Sequence, residues 1–120
     1  MRFLDRMLNR TPRREPAWIE PDHLKRRLDA GESLLVVDVR GPEEFAGQLG
    51  HIGSAVNLPL PELPDRVARL AADPRPIVCV CLTDKRSWQA AAALAAAGHR
   101  DVAVLRGGMQ RWRDQGGAAS

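Results

Sequence analysis

The sequence predicts an α/β fold, a parallel sheet with helices on both faces. Short apolar runs alternate along the chain with segments of helical spacing, the pattern of strand–helix–strand units. Residues 34–39 (LLVVDV) and 77–80 (IVCV) are near-continuous apolar runs rather than alternating ones, as expected of strands covered on both sides. A length of 120 residues suits a single domain whose core needs no disulfide staples.

The elements follow in order. Phe3, Leu4, Met7 and Leu8 fall at helical spacing and predict a short amphipathic helix ending before Pro12, and residues 11–16 read as linker. Ala17-Trp18-Ile19 is a candidate first strand. Pro21 suits a first helical turn, where its missing N–H is not needed, Leu24 and Leu28 supply one apolar face, and Gly31 stops the helix. Residues 34–39 form the next strand, and Pro42-Glu43-Glu44-Phe45 opens one helical turn. Residues 55–58 read as a strand closed by Pro59. Leu63, Val67 and Leu70 predict one helix over residues 62–72. Residues 77–80 are a buried strand, and the alanine-rich stretch 87–97 predicts a helix that Gly98 ends. Residues 102–105 are the last strand, and Gly107-Gly108 breaks the chain before a final helix carrying Met109 and Trp112.

Composition narrows the function classes. No apolar run approaches the 18 or so residues that span a bilayer, and the start lacks the uninterrupted apolar stretch of a secretory signal. The net charge is +3, and Arg2, Arg6, Arg10, Arg13 and Arg14 stand against one Asp5 in the first fourteen residues. We read residues 1–16 as a solvated basic arm and linker rather than as a nucleic-acid or membrane contact. Cys79 and Cys81 are two residues apart on one strand, about 6.6–7 Å between Cα atoms, at the edge of disulfide reach. Free thiols in a reducing cytoplasm are the simpler expectation. Cys-x-Cys with His51 is not a zinc spacing, so no metal and no cofactor are expected.

Ligands of open parallel sheets bind outside the carboxyl ends of the strands. Cys81 stands at such an end, followed by Leu82, Thr83, Asp84, Lys85, Arg86 and Ser87 and then the alanine-rich helix. A loop curled around the sulfur would turn backbone N–H groups inward as an anion cradle, and the helix start would add its positive end. Such a setting favours a thiolate without a histidine base. An isolated cysteine closing a strand is more often a small core residue, and the loop is what favours a nucleophile here.

The chain resembles the rhodanese family in three segments. Residues 36–60, VVDVRGPEEFAGQLGHIGSAVNLPL, are similar to its first signature. Residues 78–91, VCVCLTDKRSWQAA, resemble the active-site loop, a cysteine followed after four residues by Arg-Ser. Residues 104–116, VLRGGMQRWRDQG, resemble the closing Gly-Gly, Trp, Gly motif. The resemblance places a rhodanese-like domain at residues 17–117, with residues 118–120 as a tail, and implies about five parallel strands. It implies a sulfurtransferase in which a donor such as thiosulfate passes its outer sulfur to Cys81, and a thiol, cyanide or a protein acceptor takes it from the persulfide. A six-residue loop, Cys81 to Arg86, resembles the sulfur-transferring members; phosphatase and arsenate-reducing relatives carry one residue more. A non-catalytic partner-binding module is the other alternative, and the retained cysteine argues against it.

Within this reading Arg86 steadies the anion or braces the loop, bracing being favoured. Lys85 attracts an anionic donor and Asp84 opposes it. Thr83 is a hydrogen-bond candidate for the persulfide or a plain turn residue. Ser87 marks a helix start with a structural role. Asp38 and Arg40 share the rim with Cys81 and are scaffold rather than reacting groups. His51 packs a turn, His23 and His99 are surface residues, Cys79 is core, and Met109 and Trp112 pack the last helix.

Overall fold

A computed structural model describes residues 15–120 of the chain. The helix expected around Phe3, Leu4, Met7 and Leu8 and most of the basic arm lie outside the described residues. Five strands form one sheet: β1 (Ala17–Ile19), β2 (Leu35–Asp38), β3 (Val56–Asn57), β4 (Ile77–Val80) and β5 (Val102–Leu105). Their order is β1-β5-β4-β2-β3, and every pairing is parallel. Parallel pairing sends all five carboxyl ends to one rim, which therefore gathers Glu20, Asp38, Arg40, Asn57, Cys81 and Arg106 from distant parts of the sequence.

The strands are buried because both faces are covered. Alternate residues point to opposite sides of a strand. Val37, Cys79, Cys81 and Val104 join one core layer with Ala90, Ala91 and Leu94 of helix α4 (Lys85–Ala96). Val36, Val78, Val80 and Leu105 join the other with Leu24 of α1 (Pro21–Asp29) and Met109 and Trp112 of α5 (Gly108–Asp114). The alanines of α4 let that helix lie close on the sheet. A single turn, α2 (Pro42–Phe45), follows β2, and Gly41 precedes it as the cap residue.

Two expectations about elements change. The single helix expected over residues 62–72 is a 3-10 segment, Leu60–Asp65, followed by a short α3, Val67–Ala71. Pro64 cannot donate to the carbonyl four residues back, so the α-helical ladder cannot run through it. The helix expected from residue 87 begins two residues earlier, with Asp84 at its cap position and Trp88 N–H donating to the Asp84 carbonyl at 2.9 Å.

The three residues read as a tail are docked. Trp112 Nε1 donates to the Ala118 carbonyl at 2.9 Å, and His51 and Ser120 exchange backbone hydrogen bonds at 2.8 and 3.2 Å. Ala119 packs on the α1/α5 layer.

Candidate active site

Cys81 follows the last residue of the central strand β4 and is only 1% exposed. Its carbonyl accepts from Met109 N–H at 2.9 Å, and the Leu82 carbonyl accepts from Gln110 N–H at 3.0 Å. The start of α5 thus draws the loop carbonyls toward itself. A trans peptide holds its N–H opposite its C=O, so the N–H groups of Leu82 and Thr83 point away from α5. Gly108 makes the approach possible. It has φ +58°, and a Cβ there would overlap the carbonyl oxygens of Cys81, Leu82 and Thr83. The second glycine of the Gly-Gly pair is therefore what lets α5 approach the loop this closely.

The sulfur meets Ser87 twice. Ser87 N–H donates to Sγ at 3.3 Å, and Sγ lies 3.2 Å from Ser87 Oγ. Ser87 is fully buried in the first turn of α4. This departs from the expected helix-start role, because α4 begins at Lys85 and brings Ser87 under the sulfur. A protonated thiol donates to the hydroxyl, and with a thiolate the hydroxyl can turn and donate instead.

The Arg86 guanidinium is turned toward α2. Its Nη1 and Nη2 donate to Glu44 Oε1 and Oε2 at 2.7 and 3.0 Å, a bidentate pair between α4 and α2. Glu44 Oε1 also accepts from Gly41 N–H at 3.1 Å. The Arg86 hydrogen bonds, helped by Gly41 N–H and the nearby positive charges, lower the Glu44 carboxyl to about 2. The same hydrogen bond raises the pKa of Arg86. Glu44 is the site residue that reading the sequence missed: the acidic position before Phe45 belongs to the first signature, but nothing along the chain links it to a loop 42 residues away.

Asp38 and Arg40 form a buried pair on the shared rim. Arg40 Nε and Nη2 donate to Asp38 Oδ1 and Oδ2 at 2.9 and 2.8 Å, and Nη2 also donates to the Gly50 carbonyl at 2.7 Å. Asn57 Nδ2 donates to the carbonyls of Asp38 and Arg40 at 3.0 and 2.8 Å. This network ties the ends of β2 and β3 to the turn at Gly50.

The other singled-out residues fall as follows. Leu82, Thr83 and Lys85 are exposed and Asp84 half-buried. Cys79 is buried in the core, and that burial pushes its thiol up to about 12. His51 stacks on Phe45 at 3.7 Å between centroids, and its Nδ1 bonds the Phe45 carbonyl at 2.9 Å. His23 is exposed. His99 is not a surface residue. It is 5% exposed, its Nε2 bonds the Arg75 carbonyl at 3.0 Å, and its Nδ1 accepts from Asp101 N–H at 3.1 Å. A histidine after a helix-ending glycine looks solvated along the chain, but the turn into β5 folds back over it. Met109 and Trp112 are buried, as expected of the packing of the last helix.

Fold and site together define a parallel α/β domain with a cysteine at the tip of its central strand, ringed by a short loop and a helix start. The chain belongs to the rhodanese-like domain family, whose family model matches residues 20–115. It is 38% identical over 98 residues to a sulfurtransferase of Allochromatium vinosum, covering 82% of this chain and 89% of that protein. It is 35% identical over 95 residues to the thiosulfate sulfurtransferase GlpE of Stutzerimonas stutzeri, covering 79% and 83%. An HTH-type transcriptional regulator of Mycobacterium tuberculosis is 43% identical over 97 residues, and the match spans 75% of this chain and 38% of that longer protein. A rhodanese-like domain protein from Staphylococcus aureus superposes with a TM-score of 0.73 at 31% identity, covering 87% of this chain and 98% of that one. The sulfurtransferase-named relatives support a transferase of sulfur-containing groups.

Proposed function

We propose that this chain moves sulfane sulfur from a donor such as thiosulfate to a thiol or cyanide acceptor through a persulfide on Cys81. The observation that carries the reading is the environment of one sulfur: Sγ at the end of β4, with Ser87 N–H and Oγ at 3.3 and 3.2 Å and the loop carbonyls turned away toward α5. Donors converging on one sulfur suit a sulfur anion.

In the first half-reaction the Cys81 thiolate attacks the outer sulfur of thiosulfate. The S–S bond of the donor breaks, its electron pair leaves on sulfite, and Cys81 becomes a persulfide anion. In the second half-reaction cyanide attacks the outer sulfur, thiocyanate leaves, and the thiolate returns. A small-molecule thiol or a cysteine of another protein serves in place of cyanide. Both cysteines are free thiols, which suits a reducing, cytoplasmic setting. Among the described residues no helix is long and apolar enough to cross a membrane.

Cys81→Ser is expected to abolish cyanide-dependent thiocyanate formation and the mass gain of one sulfur after thiosulfate treatment. Cys79→Ser is expected to retain most of both, since a thiol pushed up to about 12 in the core stays protonated. Equal losses in two folded variants would point to a dithiol mechanism and overturn the assignment.

A further inference from the structure

We infer that His51 is a positioning residue for sulfur transfer. Its Nδ1–H holds the end of α2, and α2 holds, through Glu44 and Arg86, the first turn of α4 that carries Ser87 to the sulfur. The inference rests on the sulfurtransferase reading above and gives His51 a place in it.

α2 cannot keep its own place. It is a single turn of four residues, Pro42–Phe45, and none of them is buried. One helical turn has no cooperative reserve of its own. Yet α2 presents both Glu44 oxygens to Arg86. His51 supplies the hold. Its Nδ1 lies 2.9 Å from the Phe45 carbonyl, the last of α2, and its ring stacks on the Phe45 ring at 3.7 Å and 8°. A carbonyl only accepts, so Nδ1 carries a proton here, and it does so whether or not Nε2 is protonated. The main chain beneath the imidazole is fixed in turn. The Gly50 carbonyl accepts from Nη2 of the buried Arg40 at 2.7 Å, and His51 and Ser120 exchange backbone hydrogen bonds at 2.8 and 3.2 Å.

Each link from His51 to the sulfur is a hydrogen bond or a pair of chain neighbours. His51 binds Phe45. Glu44, its neighbour in the chain, holds Arg86 at 2.7 and 3.0 Å. Ser87, next after Arg86, meets Sγ at 3.3 Å through its N–H and at 3.2 Å through Oγ. The network moves no proton. Nδ1 is committed to the Phe45 carbonyl, and His51 acts by fixing where Ser87 stands rather than as a base.

The test uses the full chain and measures kcat and KM for thiocyanate formation from thiosulfate and cyanide. His51→Phe keeps a ring against Phe45 and removes the donor. It is expected to lower kcat about tenfold, with KM for thiosulfate changed less than about twofold and the pH profile of kcat unshifted. His51→Leu, which also lacks the donor, serves the same test if His51→Phe does not fold. His51→Asn places an amide N–H where Nδ1 stood and is expected to restore kcat to within about threefold of the wild type. The double variant His51→Phe/Glu44→Gln is expected to be about as slow as either single variant, because both break one chain of contacts. Exchange of the Ser87 amide hydrogen, followed by NMR, is expected to quicken about tenfold in His51→Phe and is read without any transfer. Single losses that multiply to about a hundredfold in the double variant, or an unchanged kcat in folded His51→Phe, overturn the positioning role. A limb of the pH profile lost in both His51→Phe and His51→Asn marks a base and overturns it as well. A wild-type protein that moves no sulfur overturns the transferase reading, whereas unchanged Ser87 exchange in His51→Phe overturns the role of His51.

Discussion

Cys79 lies within β4 and Cys81 just past its last residue, and both side chains join the same core layer. Between them the chain passes from the ladder of β4 to the loop, where Ser87 and the start of α5 meet it. Residues two apart in sequence therefore have opposite chemistry: one thiol is pushed up by burial, and the other faces hydrogen-bond partners. The Glu44–Arg86 pair also belongs to this scale. Both side chains are about a third exposed, so the pair contributes ~1 kcal/mol or less to stability after solvent screening. The role we propose for it is to hold the first turn of α4, and through it Ser87. Glu44→Gln is expected to lower kcat for sulfur transfer about tenfold while moving the melting temperature by no more than a few degrees. A lowered Glu44 pKa means that the folded state holds the ionised form more strongly than the unfolded chain does. That contribution is complete above about 4.5 and is lost as pH falls toward about 2. Acid titration of stability followed by tryptophan fluorescence should show a smaller loss between these values in Glu44→Gln than in the wild type.

At the scale of elements, the site is assembled from one strand end and two helix starts. Gly108 is the point of closest approach between α5 and the loop, and its positive φ adds a second demand for glycine. Gly108→Ala is expected to cost ~2–4 kcal/mol, seen as a lower urea midpoint. It should also reduce transfer, because the carbonyls of Cys81 and Leu82 lose their seats on the α5 amides. The loop itself offers a cleaner separation of activity from stability. One glycine inserted after Thr83 lies outside both β4 and α4 and widens the ring around Sγ. Thiocyanate formation is expected to fall roughly a hundredfold, since a misplacement of about 1 Å at a reacting centre costs that much. The melting curve should shift little, because loop length is thermodynamically cheap. Unchanged transfer in a folded insertion variant would mean that loop size does not select the reaction.

For the whole molecule, the two chain ends carry different expectations. The residues singled out at the site fall within residues 15–120, and the composition of the first fourteen residues suits a basic arm. Deleting residues 1–14 is expected to leave the melting temperature and thiosulfate activity largely as they are. Deleting residues 118–120 is not equivalent. It removes the partner of Trp112 Nε1 and the backbone pairing with His51, and should cost ~1–3 kcal/mol. Calorimetry of the two truncations side by side distinguishes them, and equal shifts would refute the docked role of the tail.

What the sequence determined by itself was the alternation of elements and the place of Cys81. Apolar runs, a helix-breaking Gly-Gly and a cysteine before a helix start are local facts, and local sterics and burial turn them into strands, a turn and a strand tip. The break at Pro64 was equally local and could have been read from the missing N–H. Proximity was not local. Nothing along the chain states that Glu44 reaches Arg86, that Asn57 holds the backbone of Asp38 and Arg40, or that His99 is covered. Nor does it state that the amides of α5 seat the loop carbonyls. Those relations follow from the strand order β1-β5-β4-β2-β3, which brings residues tens of positions apart to one rim. Only the tertiary structure decided them, because hydrogen bonds and charge pairs depend on distance in space, and the sheet topology sets that distance.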